Sequence, residues 1–182
     1  MPPHDAPPPV AIRLFDRAAD RAGLDALDTS FETASVLDVI VGPRRIDLVE
    51  RPLAAPRTKR YPIDEVFAVW STWDTAFVAD DGRICGLAAV QHQAWNGRLV
   101  LWHFYVTPAR RREGIGRALL AHVEQHGRTV GARRIWLETS SVNVPAITAY
   151  TRLGYALCGA DVTLYDGTDM ADEAAIYLSK PL

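Results

Sequence analysis

Short runs of apolar residues, separated by turn signals, divide this chain into strands and helices. The turns Asp80-Asp81-Gly82 and Asn96-Gly97 join apolar runs in the manner of strand hairpins. Further on, Ile115, Leu119 and Val123 fall on one face at helical spacing. In chain order the pattern predicts a strand over 10–15, a helix over 17–27, strands over 31–41 and 45–53, a basic loop over 57–62, strands over 75–79, 83–93 and 98–106, a helix over 114–131, a strand over 134–139, a helix over 145–153, and strands over 155–165 and 174–179.

The length and composition fit one domain of ordinary size. The chain has 182 residues, of which 48% are hydrophobic, and this is enough to bury a core. Residues 1–9 are rich in proline and lack the apolar stretch of a signal peptide. We therefore expect a disordered tail over 1–9 and a single domain over 10–182. No run approaches the ~20 apolar residues that a membrane span needs, so we expect a cytoplasmic protein.

Charge and cysteine content exclude some classes of site. The formal net charge is −2, which disfavours nucleic-acid binding because that function needs a basic face. Cys85 and Cys158 both lie in apolar, strand-like runs, so we expect both to be buried free thiols. Neither has a histidine or cysteine at metal-binding spacing. We therefore expect no metal site.

The segment 111–116 reads Arg-Arg-Glu-Gly-Ile-Gly and joins the strand 98–106 to the long helix. A glycine-rich turn that opens a helix leaves backbone N–H groups without partners, and the helix dipole adds positive charge there. The segment is therefore predicted to bind an anion such as a pyrophosphate. A P-loop is excluded because no Gly-Lys-Ser/Thr follows the glycines, and the dinucleotide fingerprint is excluded because only two glycines are in register.

This loop resembles the acyl-CoA loop of the GNAT superfamily of N-acetyltransferases. A second motif supports the resemblance, because Asn143-Val-Pro-Ala-Ile147, then Tyr150, then Gly154-Tyr155 is similar to the second half of that family's signature. The resemblance implies a mixed central β-sheet of six to seven strands flanked by helices, with splayed strands forming the acetyl-CoA cleft. Acetyl-CoA is the co-substrate that it implies, held by Phe104, Tyr105, Val106, Arg111, Arg112, Glu113, Gly114, Ile115, Gly116, Arg117 and Asn143.

The same resemblance suggests catalytic residues. Tyr150 stands where the family's general acid stands, and a phenol remains protonated at neutral pH. Glu138 is the first candidate for the base, because it ends a buried strand twelve residues before Tyr150. Acetyltransferases of ribosomal-protein N-termini have the same separation between base and acid. His103 is the rival base, and strand alternation would put it on one face with Leu101 and Tyr105.

The stretch after residue 156 resembles the streptothricin acetyltransferases, which acetylate an amine of a cationic antibiotic. The positions expected to contact the acceptor are Trp102, Asp161, Tyr165 and Asp166, with Asp64, Glu65 and Asp74 as further acids. One departure is that the strand before the CoA loop carries Trp-His-Phe-Tyr at 102–105 instead of carboxylates. An aromatic wall favours flat or apolar ligands, by stacking or cation–π contact. The aromatic residues at 67, 70 and 73 either extend that wall or anchor the core.

Three functions remain open from the sequence. The first is an N-acetyltransferase that acts on a primary amine of a small molecule, of the streptothricin type, and so confers antibiotic resistance. The second is a protein or peptide N-acetyltransferase, and the third is a non-catalytic acyl-CoA-binding module. A narrow aromatic pocket would favour the first and an open groove the second. We expect neither a nucleic-acid nor a membrane partner, and the sequence leaves open whether the chain forms a homodimer.

Overall fold

A computed structural model describes residues 9–182, so the predicted tail lies almost entirely outside the described residues. Seven strands form one mixed sheet in the order β1-β4-β5-β6-β7-β9-β8, and β2 pairs with β3 in a separate hairpin. The elements are β1 (Ala11–Leu14), α1 (Arg21–Asp25), β2 (Ser30–Gly42), β3 (Arg45–Arg60), β4 (Thr75–Asp80), β5 (Ile84–Gln93), β6 (Arg98–Val106), α2 (Ile115–Thr129), β7 (Arg134–Ser140), α3 (Val144–Arg152), β8 (Ala156–Asp161) and β9 (Ala175–Pro181). Short 3-10 helices span Ile63–Phe67 and Pro108–Arg110. The predicted fold class, a mixed sheet of six to seven strands flanked by helices, is confirmed.

Both faces of the sheet are covered by apolar side chains. On one face, Leu119 and Val123 of α2 are fully buried against strand residues such as Leu99 and Ile135. On the other face, Leu24 of α1 and residues of the first 3-10 helix form a second cluster with β4 and β5. Two packed faces fix the sheet firmly, which gives the site a rigid support.

The sheet opens between its two parallel neighbours, β6 and β7. These strands pair only from Arg98 with Arg134 to Leu101 with Leu137, although both continue beyond that point. The pairing of β5 with β6 also shifts here, since Ala89 faces His103 while Val90 faces Leu101, leaving Trp102 as the extra residue of a bulge. A bulge bends its strand and re-aims its side chains. The predicted splayed strands are therefore present.

The bulge also changes which residues share a face of β6. Leu101 belongs to the cluster under α2, whereas Trp102 and Tyr105 pack against the opposite cluster. His103 contacts Tyr105, as strand alternation predicts, but it does not share a face with Leu101. The expectation from simple alternation is wrong at this point because the inserted residue reverses the phase of the strand.

Several boundaries differ from the prediction for local reasons. α1 begins only at Arg21, because the Asp16 carboxylate accepts the N–H groups of Ala18 and Ala19 and holds that segment in a turn. The stretch 57–60, predicted as a loop, continues β3 because β2 is long enough to pair with it. β8 ends at Asp161, whose carboxylate accepts two hydrogen bonds from Thr163 and turns the chain out of the sheet.

Both cysteines are free thiols, as expected, but only one of them is buried. Cys85 is a buried free thiol, and it donates to the carbonyl oxygen of Ala79 at 3.4 Å. Cys158 is free but exposed, because β8 is the outermost strand of the sheet. In residues 9–182, none of the helices has the length and apolar character needed to cross a bilayer.

Candidate active site

A cavity of about 650 Å³ fills the opening between β6 and β7. Its walls come from widely separated parts of the chain: the end of β3 and the 3-10 helix after it, the bulged half of β6, the end of β7, the start of α3, and the loop between β8 and β9. We call this space the cleft. Residues predicted to be catalytic that line it are Glu138, Tyr150 and His103.

Glu138 lies at the end of β7, where the sheet has opened. Its side chain is accessible from the cleft but is enclosed by protein on its other sides, and this burial raises the pKa of its carboxyl group. The Tyr165 hydroxyl donates a hydrogen bond to Glu138 Oε1, which opposes that rise. A carboxyl group with a raised pKa in a cleft has the character of a proton acceptor near neutral pH.

Tyr150 projects from α3 into the same cleft. Its ring packs on Phe104 of β6 with ring centroids 5.8 Å apart, and on Tyr155 at 5.3 Å. Burial raises the pKa of its hydroxyl well above the ordinary value, and the neighbouring tyrosines and Glu138 add to the shift. Within residues 9–182 no group hydrogen bonds its hydroxyl. The proton therefore stays on this oxygen and is available to a ligand in the cleft.

His103 is a weaker candidate for the base than its residue type suggests. Its Nε2 lies 2.6 Å from Ser71 Oγ, and its Nδ1 lies 3.2 Å from the Tyr105 hydroxyl. Burial lowers its pKa to about 4, so the imidazole is neutral at physiological pH and has little affinity for a proton. Both ring nitrogens are also occupied by protein partners. The geometry favours Glu138 over His103.

The predicted anion-binding loop has the backbone conformation that such a site needs. Gly114 precedes α2 with φ of 87°, and a Cβ placed there would point into open space. No side chain caps α2, and its first turn carries no acidic residue, so the first amides of the helix remain free to bind a ligand. Gly116, the second glycine of the loop, lies against β6, where a Cβ would meet Phe104 and Val106 at ordinary contact distances of 3.4 to 3.8 Å.

The arginines of this loop divide into two groups. Arg110 pairs with Asp81 and with Glu113, and Arg111 donates to the backbone carbonyl oxygens of Val106 and Ser30. Both arginines hold the loop in place; the charge of Arg110 is balanced by its carboxylate partners, whereas Arg111 bonds neutral carbonyl oxygens and keeps its formal charge. Arg112 and Arg117 are exposed and form no ion pair with the acidic residues of the described range. Arg112 and Arg117 therefore offer formal charge to an anion, in addition to Arg111.

Asn143 supports the cleft from the start of α3. Its Oδ1 accepts the N–H of Ala146 at 3.3 Å and so caps the helix. Its Nδ2 lies 3.5 Å from the Tyr61 hydroxyl, across the cleft. These two contacts fix the loop between β7 and α3 against the end of β3.

The acidic residues of the acceptor side differ from those predicted. Of the predicted acids besides Glu138, only Glu65 lines the cleft; Asp161 and Asp166 do not. Asp161 instead turns the chain after β8, and Asp166 is exposed on the outside of the loop. Sequence reasoning missed Asp169, which lines the cleft and contributes to the raised pKa of Glu65 after burial and Asp64. Asp169 lies in a loop with no periodic pattern, so no sequence signal points to it.

The aromatic residues at 67, 70 and 73 divide between the core and the cleft. Phe67 and Trp73 pack with Phe15 in the core, and the Trp73 indole N–H donates to the carbonyl oxygen of Val66. Trp70 remains 54% exposed and lies beside Trp102 at the mouth of the cleft, with ring centroids 6.2 Å apart. Trp102 and Tyr165, both predicted to contact the acceptor, line the cleft.

A buried ionic cluster, also missed from the sequence, holds the walls together. Only 1% of the Glu173 side chain is exposed, and its carboxylate binds Lys59 at 2.5 Å, Arg57 at 3.2 Å and the Ser140 hydroxyl. These contacts join the end of β3 to the loop before β9 and to the end of β7. Within the described part of the chain, no three histidine, cysteine or acidic side chains are grouped as metal ligands.

Comparison with known proteins places this geometry among acetyltransferases. A family model described as the acetyltransferase (GNAT) family matches residues 46–155. A streptothricin acetyltransferase of Streptomyces lavendulae is 41% identical over 173 residues, which cover 91% of this chain and 92% of that protein. The crystal structure of a nourseothricin acetyltransferase superposes with a TM-score of 0.85 at 38% identity, over 94% of this chain and 98% of that one.

A more distant structure shares the fold. It is a streptothricin acetyltransferase from Bacillus anthracis str. Ames, so described provisionally, solved in complex with acetyl coenzyme A. It superposes with a TM-score of 0.80 at 24% identity, over 96% of this chain and all of that one. The resemblance stated from the sequence motifs is confirmed.

Proposed function

The chain belongs to the acetyltransferase (GNAT) family and is an acetyl-CoA-dependent N-acetyltransferase, and from this premise we propose that its acceptor is a primary amine of a small cationic molecule of the streptothricin type. One observation carries the proposal most directly. Glu138 and Tyr150, a proton acceptor and a proton donor, line one cleft that is walled by aromatic and acidic side chains.

The residues at the start of α2 fit the diphosphate of acetyl-CoA. The uncapped amides of α2, the open space beside Gly114 and the free charges of Arg112 and Arg117 together suit a doubly charged anion. Phe104, Tyr105 and Val106 lie beyond the last pair of β6 with β7, so this edge of β6 is open to the rest of the cofactor, except at the Val106 carbonyl oxygen, which accepts a hydrogen bond from Arg111. When bound, acetyl-CoA supplies an acetyl thioester, and transfer forms an N–C bond, breaks the C–S bond and leaves a thiol.

Two side chains move the protons in this account. The Glu138 carboxylate accepts a proton from the acceptor's ammonium group, which frees the lone pair of the nitrogen for attack. The Tyr150 hydroxyl donates its proton to the departing sulfur, and the second nitrogen proton passes to solvent. Each step needs the residue in the protonation state that burial favours or permits near neutral pH.

The acceptor side of the cleft suits a flat or cationic molecule. Trp70 and Trp102 offer indole faces, which attract cations as well as stack on planar groups. Glu65 and Asp169 add negative charge that the bulged part of β6 lacks. The loop between β8 and β9 covers one side, which supports a small acceptor over a protein segment.

The test is acetyl-CoA turnover, measured as thiol release, against streptothricin, lysine derivatives, polyamines, neutral aromatic amines and short peptides. We expect streptothricin and other polycationic amines to be acetylated with a kcat/KM at least about tenfold above that of the neutral amines. Preference for peptides would support the protein-modifying alternative. Binding of acetyl-CoA without turnover of any amine would support the non-catalytic alternative, and either result would contradict the proposal.

A further inference from the structure

We propose that Tyr165 is a positioning residue for the acetyl transfer, whose hydroxyl holds the Glu138 carboxylate in its charged form and aims its second oxygen at the acceptor amine. The contact is direct, since the Tyr165 hydroxyl donates to Glu138 Oε1. Oε2 then remains for the amine. This inference deepens the proposed function and rests on Glu138 being the base.

The loop that carries Tyr165 is built to hold it still. β8 ends in the turn made by Asp161, and the chain then crosses towards the cleft. The Tyr165 carbonyl oxygen accepts hydrogen bonds from both the backbone N–H and the hydroxyl of Thr168, at 3.0 and 2.7 Å. At its far end the loop is fixed by Glu173 to Lys59 and Arg57. The tyrosine is only 9% exposed, so its hydroxyl is preorganised before any acceptor arrives.

The surroundings of Glu138 make such a donor necessary. Burial alone favours the protonated carboxyl group, which cannot act as a base. Among the charged neighbours, Lys59 favours the carboxylate while Glu173 opposes it. The other titratable groups near Glu138 are tyrosines that stay protonated and therefore neutral, because burial raises the pKa of each hydroxyl: Tyr61, Tyr105, Tyr150 and Tyr177. Tyr165 is the one that supplies a hydrogen bond to the carboxylate within the described residues, and this bond lowers the pKa of Glu138.

The experiment is the dependence of kcat/KM on pH, measured from about pH 5 to about pH 10 with one acceptor. In Tyr165→Phe the ring is kept and the hydroxyl is lost, so the pKa of Glu138 rises. The rate increases as Glu138 loses its proton, and the acidic limb of the profile should therefore move to higher pH by about one unit. Activity should fall about tenfold on that limb and return towards the parent value at alkaline pH.

Tyr177→Phe is the matched control. Tyr177 faces Glu138 across the β7–β9 pair but does not hydrogen bond it, so its removal should leave the profile in place. The Kd of acetyl-CoA should be unchanged in Tyr165→Phe, which shows that the fold persists. An unmoved acidic limb in Tyr165→Phe, with or without a change in KM, would overturn the positioning role.

Glu138→Gln separates this inference from the function on which it rests. If Glu138→Gln abolishes the acidic limb while Tyr165→Phe leaves it unmoved, the base is correct and the role of Tyr165 is wrong. If Glu138→Gln keeps the parent profile, the proposed base itself is wrong, and the inference falls with it.

Discussion

The cofactor side and the acceptor side of the candidate active site differ in the chemical groups that they offer to a ligand. On the proposed cofactor side, the groups offered to a ligand are uncapped backbone amides at the start of α2, and contacts of Arg110 and Arg111 hold the loop. On the acceptor side, the functional groups are side chains from β3, the 3-10 helix, β6, β7, α3 and the loop before β9. A backbone site depends on the conformation of one short segment, whereas a side-chain site depends on many tertiary contacts. Substitutions in the two halves should therefore affect different measurements.

The largest expected effect comes from Tyr150→Phe. Loss of the proton donor should lower kcat by about 100-fold while the Kd of acetyl-CoA changes less than about twofold. Tyr155→Phe is the control, because its ring packs beside Tyr150 but its hydroxyl is buried without a partner in the described residues. Thiol-release kinetics together with calorimetric binding would check both. Equal kcat values for the two variants would remove Tyr150 from the mechanism.

Gly114→Ala should act on the other half. A residue with a Cβ is strained at φ of 87°, and relaxation of the strain would move the amides of the loop. We expect the Kd of acetyl-CoA to rise about tenfold, equivalent to about 1.4 kcal/mol. Gly131→Ala places the same strain at the far end of α2, with φ of 77° and open space around it. A similar loss of acetyl-CoA affinity in both variants would mean that the stability of α2, and not the backbone conformation of the loop at Gly114, controls binding.

Trp70→Ala tests the aromatic mouth of the cleft. Removing an indole that contacts a cationic acceptor should raise the acceptor's KM about fivefold, with kcat nearly unchanged. Trp95→Ala is the control, since that indole is 85% exposed on the β5–β6 turn and does not line the cleft. A fall in kcat without a change in KM would contradict a binding role for Trp70.

The smallest effect is expected from Asp169→Asn. The side chain is exposed, so its attraction for a cation is screened, and KM for a polycationic amine should rise only about two- to threefold. The change should shrink at high salt. Asp166→Asn, three residues away and outside the cleft, should leave KM as it is. An equal change in KM in the two variants would show that Asp169 does not act from inside the cleft.

The sequence predicts those parts of the site that depend on one short segment, and not those that depend on tertiary contacts. The α2 loop, the order of strands and helices, and the positions of Glu138 and Tyr150 are local in sequence, because each depends on spacing within one short segment. Asp169, Trp70 and the Glu173 cluster depend on how distant segments meet, and periodicity carries no such information. The prediction from strand alternation is wrong along β6 because of the bulge at Trp102. A bulge depends on how two strands pair, and the sequence of one strand does not show that pairing.

We propose that cofactor binding and proton transfer belong to separate halves of the cleft, with Glu138 as the base. The most direct test measures the Kd of acetyl-CoA and the kcat/KM of a cationic acceptor for Glu138→Gln in one preparation. We predict that kcat/KM falls about 100-fold or more while Kd stays within about twofold of the parent value. A kcat/KM close to that of the parent protein would show that Glu138 is not the base, and a loss of acetyl-CoA affinity of similar size would show that the two halves are not separate.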